Sequence, residues 1–397
     1  MAFFEGGKVM KQHAVIAIII ICILLLAAGS AQTASEPVDA GQTSYAVYSS
    51  PEPSPSAQPE DKALEIMRDM SIEEKVWQML MVYPEDITGF ETITDLEVIA
   101  DALNRCPVGG FCLDSDNMES AQQLMSLTRN IRSASNIGAF IALDEEGGKV
   151  ARLSYTLGVT TDFLPMFTYR EGGEKTAYEN AATIGADIAS FGFNLDFAPV
   201  ADVWTNPENT VIAERAYSTD PKEAASLVAS AVRGFADAGV IATLKHFPGH
   251  GNTAEDSHYS SAYSDKTTEE LRECEFLPFY SGIEAGAGMI MTAHIILSEI
   301  DPEAPATLSQ TIITSLLREE LGWNGVVITD AFQMDALAGY SQHDAVIAAI
   351  RAGCDIILCP DDPAAAMRTI LDNFDEERID ESVYRILTLK LQNGITT

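Results

Sequence analysis

Eight short apolar runs punctuate the chain: Val76–Val82, Gly109–Leu113, Ala139–Leu143, Phe193–Val200, Ile241–His246, Met289–His294, Val326–Thr329 and Asp355–Cys359. Runs this short with little polar alternation are buried on both faces. Parallel strands covered by helices meet that demand, whereas antiparallel strands with one wet face do not. Amphipathic stretches at Met118–Ala134, Glu174–Ser190, Lys222–Ala238, Thr268–Ala285, Ser309–Leu321 and Asp344–Ala352 predict helices between the runs, with Ser309 as an N-cap and Gly353 as a stop. Ser71 and Glu74 form a capping-box pattern that opens a turn into the first run. The pattern predicts an α/β fold, a (β/α)8 TIM-type barrel forming a single catalytic domain; a doubly wound open sheet is the alternative.

In such a barrel, sites form at the C-terminal ends of the strands. Polar groups that would be costly in a core fall at those ends: Asp144-Glu145-Glu146 after the third run, Asp196 and Asp202 with Arg215 beyond the fourth, Lys245-His246 at the fifth, His294 at the sixth and Asp330 after the seventh. Asp330 closes a buried strand, so its carboxylate is held rigidly, as a nucleophile attacking an anomeric carbon requires. A carboxylate there also fits an N-cap or an ion pair for the following helix.

The stretch from Lys245 to His258 is the densest in chemistry, with three of the six histidines inside a Gly/Pro-punctuated loop. Asp256 and His258 stand two apart, so an extended segment points both the same way. The carboxylate would orient the imidazole and favour its protonated form, giving an acid/base group; an ordinary loop explains the same triplet. Lys245, His246, Arg152 and Arg215 can grip hydroxyls while balancing nearby carboxylates such as Asp144. A metal site from His246, His250, Asp256 and His258 lacks the i, i+4 helical histidine pair of the zincins, and no metal or cofactor is called for.

The formal net charge of −35, from 24 Lys+Arg against 59 Asp+Glu, excludes a general nucleic-acid or anionic-membrane surface. It also favours small fragments over intact anionic polymer as substrate. Lys8 and Lys11 precede an apolar run from Ala14 to Gly29, so residues 1–31 read as a signal peptide with cleavage after Ala31, or as an uncleaved anchor that tethers the chain to a membrane through residues 14–29. Residues 32–60 form a Pro/Ser-rich linker, and residues 61–397 form the barrel domain. The five cysteines after the leader are an odd number without metal spacing, which predicts buried apolar thiols over a disulfide framework.

The segments IALDEEGGKVAR, NLDFAPVADV, IAERAYSTDP, KHFPGHGNTAEDSH and VVITDAFQMDAL, in this order, resemble glycoside hydrolase family 3, in its bacterial β-N-acetylglucosaminidase branch, over about residues 63–394. The resemblance implies Asp330 as catalytic nucleophile, His258 as acid/base and Asp256 as its support, with Asp144, Arg152, Arg215, Lys245 and His246 as sugar-binding positions. Lys149, Asn252 and Ala331 depart from the usual family residues, and Tyr259–Asp265 lacks the Leu-Pro that normally follows the histidine. The activity implied is retaining, exo-acting removal of terminal N-acetylglucosamine from oligosaccharides or muropeptides outside the membrane, by a monomer. A β-glucosidase or β-xylosidase, a phosphorylase variant and a non-catalytic wall-sugar-binding module are the alternatives.

Overall fold

A computed structural model describes residues 58–254 and 262–396. The barrel strands, numbered here in chain order, are β1 (Leu80–Val82), β2 (Gly110–Cys112), β3 (Phe140–Leu143), β4 (Leu195–Asp196), β5 (Ile241–Phe247), β6 (Met289–Thr292), β7 (Val326–Ile328) and β8 (Ile357–Leu358). They hydrogen-bond in the order β7-β6-β5-β4-β3-β2-β1-β8, every pair parallel. The pair Ile328–Ile356, flanked by hydrogen bonds from the Asp355 and Ile356 amides to Val327 O (2.8 and 3.1 Å) and from the Thr329 amide to Ile356 O (3.0 Å), joins the two ends and closes the (β/α)8 barrel.

Four expectations from the sequence are adjusted. The first apolar run is split, because the Ser71–Glu74 capping box draws Val76 and Trp77 into the helix Ile72–Gln78 and leaves only Leu80–Val82 as strand. The run Phe193–Val200 forms a ladder only at Leu195–Asp196; Pro199 has no amide proton to give, and pairing resumes as one bridge from Val200 to Lys245. The predicted helix Thr268–Ala285 is two, Thr268–Glu273 and Phe276–Glu284, because Cys274 leaves helical geometry and Glu275 turns inward. The stretch at Ser309–Leu321 is a π-helix over Thr311–Glu320, with the Ser309 hydroxyl accepting the Ile312 amide proton at 3.3 Å.

The last helix, Glu376–Gln392, carries buried Ile379, Val383, Ile386, Leu387 and Lys390 on one stripe. Lys390 Nζ donates to Gln78 Oε1 at 2.6 Å and Gly138 O at 2.8 Å, tying this helix to the N-terminal end of the barrel. Burial draws its pKa down to about 7. At the same end Asp355 accepts hydrogen bonds from Arg318 (2.7 Å), Arg385 (3.0 Å), Ser382 (2.7 Å) and the Val327 amide (2.9 Å), the last adding a side-chain tie to the backbone bonds between β7 and β8. Cys112, Cys354 and Cys359 are buried, and none of the described cysteines is in a disulfide.

Candidate functional site

β3 ends at Leu143, and the three carboxylates after it part company. Asp144 and Glu146 are two apart in extended chain and approach the same cation; Glu145 turns the other way. The Glu145 carboxylate accepts the Leu153 and Ser154 amide protons at 2.7 and 3.0 Å, anchoring the start of the helix Arg152–Leu157. Burial lifts its pKa to about 7 against the pull of those hydrogen bonds.

Lys245, near the end of β5, is 2% exposed, with Nζ 2.5 Å from Asp144 Oδ1 and 2.6 Å from Glu146 Oε1. Arg215 approaches Glu146 from the loop after β4 and grips it in a fork, Nη2 to Oε1 at 2.7 Å and Nε to Oε2 at 2.9 Å. Burial alone would raise the Glu146 pKa, but the charges of Arg215 and Lys245 outweigh it and hold the carboxyl at about 2. Burial likewise works against the Lys245 ammonium, and Asp144 and Glu146 reverse that, raising its pKa. Arg152 stands across the mouth, half-exposed, with Nε 3.3 Å from Asp114 Oδ1.

His246 is oriented from below. Its Nδ1 lies 2.7 Å from Asp202 Oδ2, and Asp202 also accepts the amide protons of His246 at 3.3 Å and His250 at 2.6 Å. One buried carboxylate thus fixes both the ring and the turn that follows β5. That turn fits against the Val203–Asn209 loop so closely that a Cβ on Gly251 would come within 1.9 Å of Val203 O. Thr205 and Asn206 donate their amides to Gly251 O, and Asn209 Nδ2 donates to His250 O at 2.8 Å. His250 is buried, with Nδ1 2.8 Å from Thr253 Oγ1; burial, then the His246 charge, draws its pKa down to about 4. Asp256 and His258, further along the same loop, lie outside the described residues.

Asp330 follows β7, with Oδ1 accepting the Ala331 amide proton at 2.9 Å. His294 supports this turn, its Nε2 3.1 Å from Ala331 O and its Nδ1 2.8 Å from Thr307 Oγ1.

Asp144, Arg152, Arg215, Lys245, His246 and Asp330 all line one cleft of about 430 Å³ at the C-terminal ends of the strands. Its volume suits a small-molecule site. Every described residue singled out as catalytic or sugar-binding is brought together here. Asp196 is not: it is fully buried, accepts the Glu145 amide at 3.0 Å, and has its pKa pushed well up by burial. Glu146 and Asp202 were legible only as strand-end carboxylates, yet they fix the cations and the imidazole. Tyr83, Cys112 and Met334 complete the wall without any signal in the sequence that marked them. The arrangement can grip several hydroxyls with charged donors whose positions are set in advance, while presenting a rigid carboxylate from the end of β7.

Residues 71–389 match the glycosyl hydrolase family 3 N-terminal domain. The chain is 38% identical over 282 residues to β-hexosaminidase A of Pseudoalteromonas piscicida, an alignment covering 66% of this chain and 47% of that protein. It is 35% identical over 290 residues to a β-hexosaminidase of Idiomarina loihiensis, covering 72% of this chain and 85% of the relative. Among solved structures, a family 3 β-N-acetylglucosaminidase from a Paenibacillus species superposes with a TM-score of 0.75 at 35% identity, over 82% of this chain and 63% of the other. The chain therefore spans about half the length of the first relative and under two thirds of that structure.

Proposed function

Because the chain belongs to glycosyl hydrolase family 3 and is a glycosidase by that membership, we propose that it is a retaining exo-β-N-acetylglucosaminidase acting on terminal N-acetylglucosamine of cell-wall fragments or related β-glycosides. The observation that carries this reading is the shared cleft, in which Asp330 and the cations Lys245, Arg215 and Arg152 line one cavity at the strand ends.

In the proposed reaction the Asp330 carboxylate attacks the anomeric carbon and forms a glycosyl-enzyme, while His258 gives its proton to the leaving oxygen. His258, now neutral, takes a proton from water, which attacks the same carbon and frees Asp330. Asp256 holds the imidazole in place and favours its charged form. Asp144, Arg152, Arg215, Lys245 and His246 hold the sugar. Since Asp144 and Glu146 already take up the Lys245 charge, a neutral hydroxyl can bind there without leaving a cation unpaired.

The apolar run at residues 14–29 ahead of a Pro/Ser-rich stretch supports an exported enzyme, cleaved free or held at a membrane. A panel of p-nitrophenyl β-glycosides tests the sugar assignment. The N-acetylglucosaminide should be turned over with the highest kcat/KM, and preference for the glucoside or xyloside would refute the assignment. Release of a sugar 1-phosphate in phosphate buffer would replace hydrolysis with phosphorolysis.

A further inference from the structure

The opposite end of the barrel carries a second cleft, of about 270 Å³, between the starts of β6 and β7 and the helix Glu376–Gln392. Arg385, Thr388 and Gln392 follow one another along one face of that helix, and Asn324 faces them from the loop before β7. Trp323, Val326 and Leu389 give the cleft an apolar wall.

Two observations show donors left unused. Arg385 spends only Nη1 on Asp355, at 3.0 Å; among the described residues its Nε and Nη2 make no hydrogen bond. The Thr388 hydroxyl is buried with no partner among the described residues. Charge points the same way. Arg318, Arg378 and Arg385 gather round the one carboxylate of Asp355, with Glu381 offsetting part of the excess. Burial, together with the charges of Arg318 and Arg385, draws the Arg378 pKa down against the pull of Asp355 and Glu381. A guanidinium fork with a spare edge, set beside a hydroxyl and two amides on an apolar wall, matches a planar carboxylate attached to an apolar body.

We propose that this cleft is a second ligand site, separate from the catalytic one, that binds a small carboxylate-bearing molecule through Arg385, with Thr388, Asn324 and Gln392 around the anion and Trp323 against its apolar part.

Benzoate is the probe and benzamide its neutral counterpart, titrated into the full chain with saturation-transfer NMR and tryptophan fluorescence as readouts. Benzoate should saturate with a Kd of roughly 1 mM, and benzamide should not bind. Arg385→Gln should weaken benzoate binding at least tenfold. Gln392→Glu, at an exposed position that leaves folding undisturbed, should do the same through repulsion. Asp330→Asn should leave the titration unchanged, which separates this site from the catalytic cleft. Absence of saturation, equal binding of benzamide, or full binding by Gln392→Glu would overturn the proposal.

Discussion

Replacing Glu146 by Gln removes one negative charge from between two cations and changes little else in shape. The wild-type carboxyl is held at about 2 against an ordinary value of 4.5. That lowering corresponds to about 3 kcal/mol of folding stability at neutral pH, the same order as the ~3–5 kcal/mol lost when one partner of a buried ion pair is removed. Because the folded pKa is depressed, this contribution is fully present above pH 4.5 and is lost as the pH falls toward 2, with less than half left by pH 3. Urea unfolding of the two proteins at pH 7 should therefore show the variant weaker by about 3 kcal/mol, and the gap should narrow to less than half of that at pH 3. In the same variant Lys245 and Arg215 lose the group that fixes them, so KM for the aryl N-acetylglucosaminide should rise more than kcat falls. A gap of the same size at both pH values, or wild-type kinetics, would refute the reasoning that Glu146 acts as the electrostatic clasp of the cleft.

Asp330→Asn should abolish turnover of aryl glycosides while leaving the circular dichroism spectrum and urea midpoint near wild type; undiminished turnover would exclude it as nucleophile. His258→Ala should slow substrates with poor leaving groups far more than dinitrophenyl glycosides, and equal losses on both would argue against proton donation. For Lys390, whose folded pKa is lowered to about 7 by burial, the unfolded chain binds more protons between pH 7 and 10.5, so wild-type stability should rise with pH across that interval. Lys390→Met should flatten the rise, and parallel curves for the two proteins would refute the assignment. Gly251→Ala should lower stability by ~2 kcal/mol or more, since the added methyl meets the Val203 carbonyl; an unchanged melting temperature would count against the fit of that turn.

The barrel was legible because parallel strands buried on both faces leave continuous apolar runs, and eight of these recur along the chain. What misled was composition without boundaries: the apolar residues of Val76–Val82 serve a helix and then a strand, and only the capping box decides where one stops. The break at Cys274–Glu275 had no turn signal, because it is driven by tertiary packing of Glu275 beneath Gly249. The helix Glu376–Gln392 did carry a periodic signal, in Ile379, Val383, Ile386 and Leu387. In the site, residues at strand ends could be found because polar groups there have no structural excuse. Glu146 could not be distinguished from its neighbours by type, only by alternation, which turns Glu145 away and brings Glu146 toward Lys245. Asp202 was recognisable as a strand-end acid, but its hold on both His246 and the His250 amide depends on a loop closing back on β5.

The barrel's closure between β7 and β8 has a dynamic consequence. All seven adjoining strand pairs in the wall run as ladders of two or more registered residues, whereas this margin registers one pair, Ile328 with Ile356, held by the amides of Asp355 and Ile356 on Val327 O and the amide of Thr329 on Ile356 O. These bonds and the Val327 amide on Asp355 must part together for the margin to open, so the amide hydrogens of Val327, Thr329, Asp355 and Ile356 should exchange as one cooperative group. Asp355, gripping the Val327 amide while itself held by Arg318 and Arg385, acts as a rivet against that opening. Three residues beyond Val327 lies Asp330, so the strand that presents the proposed nucleophile is held near its start by a carboxylate outside the catalytic cleft, as His294 holds the turn at its end.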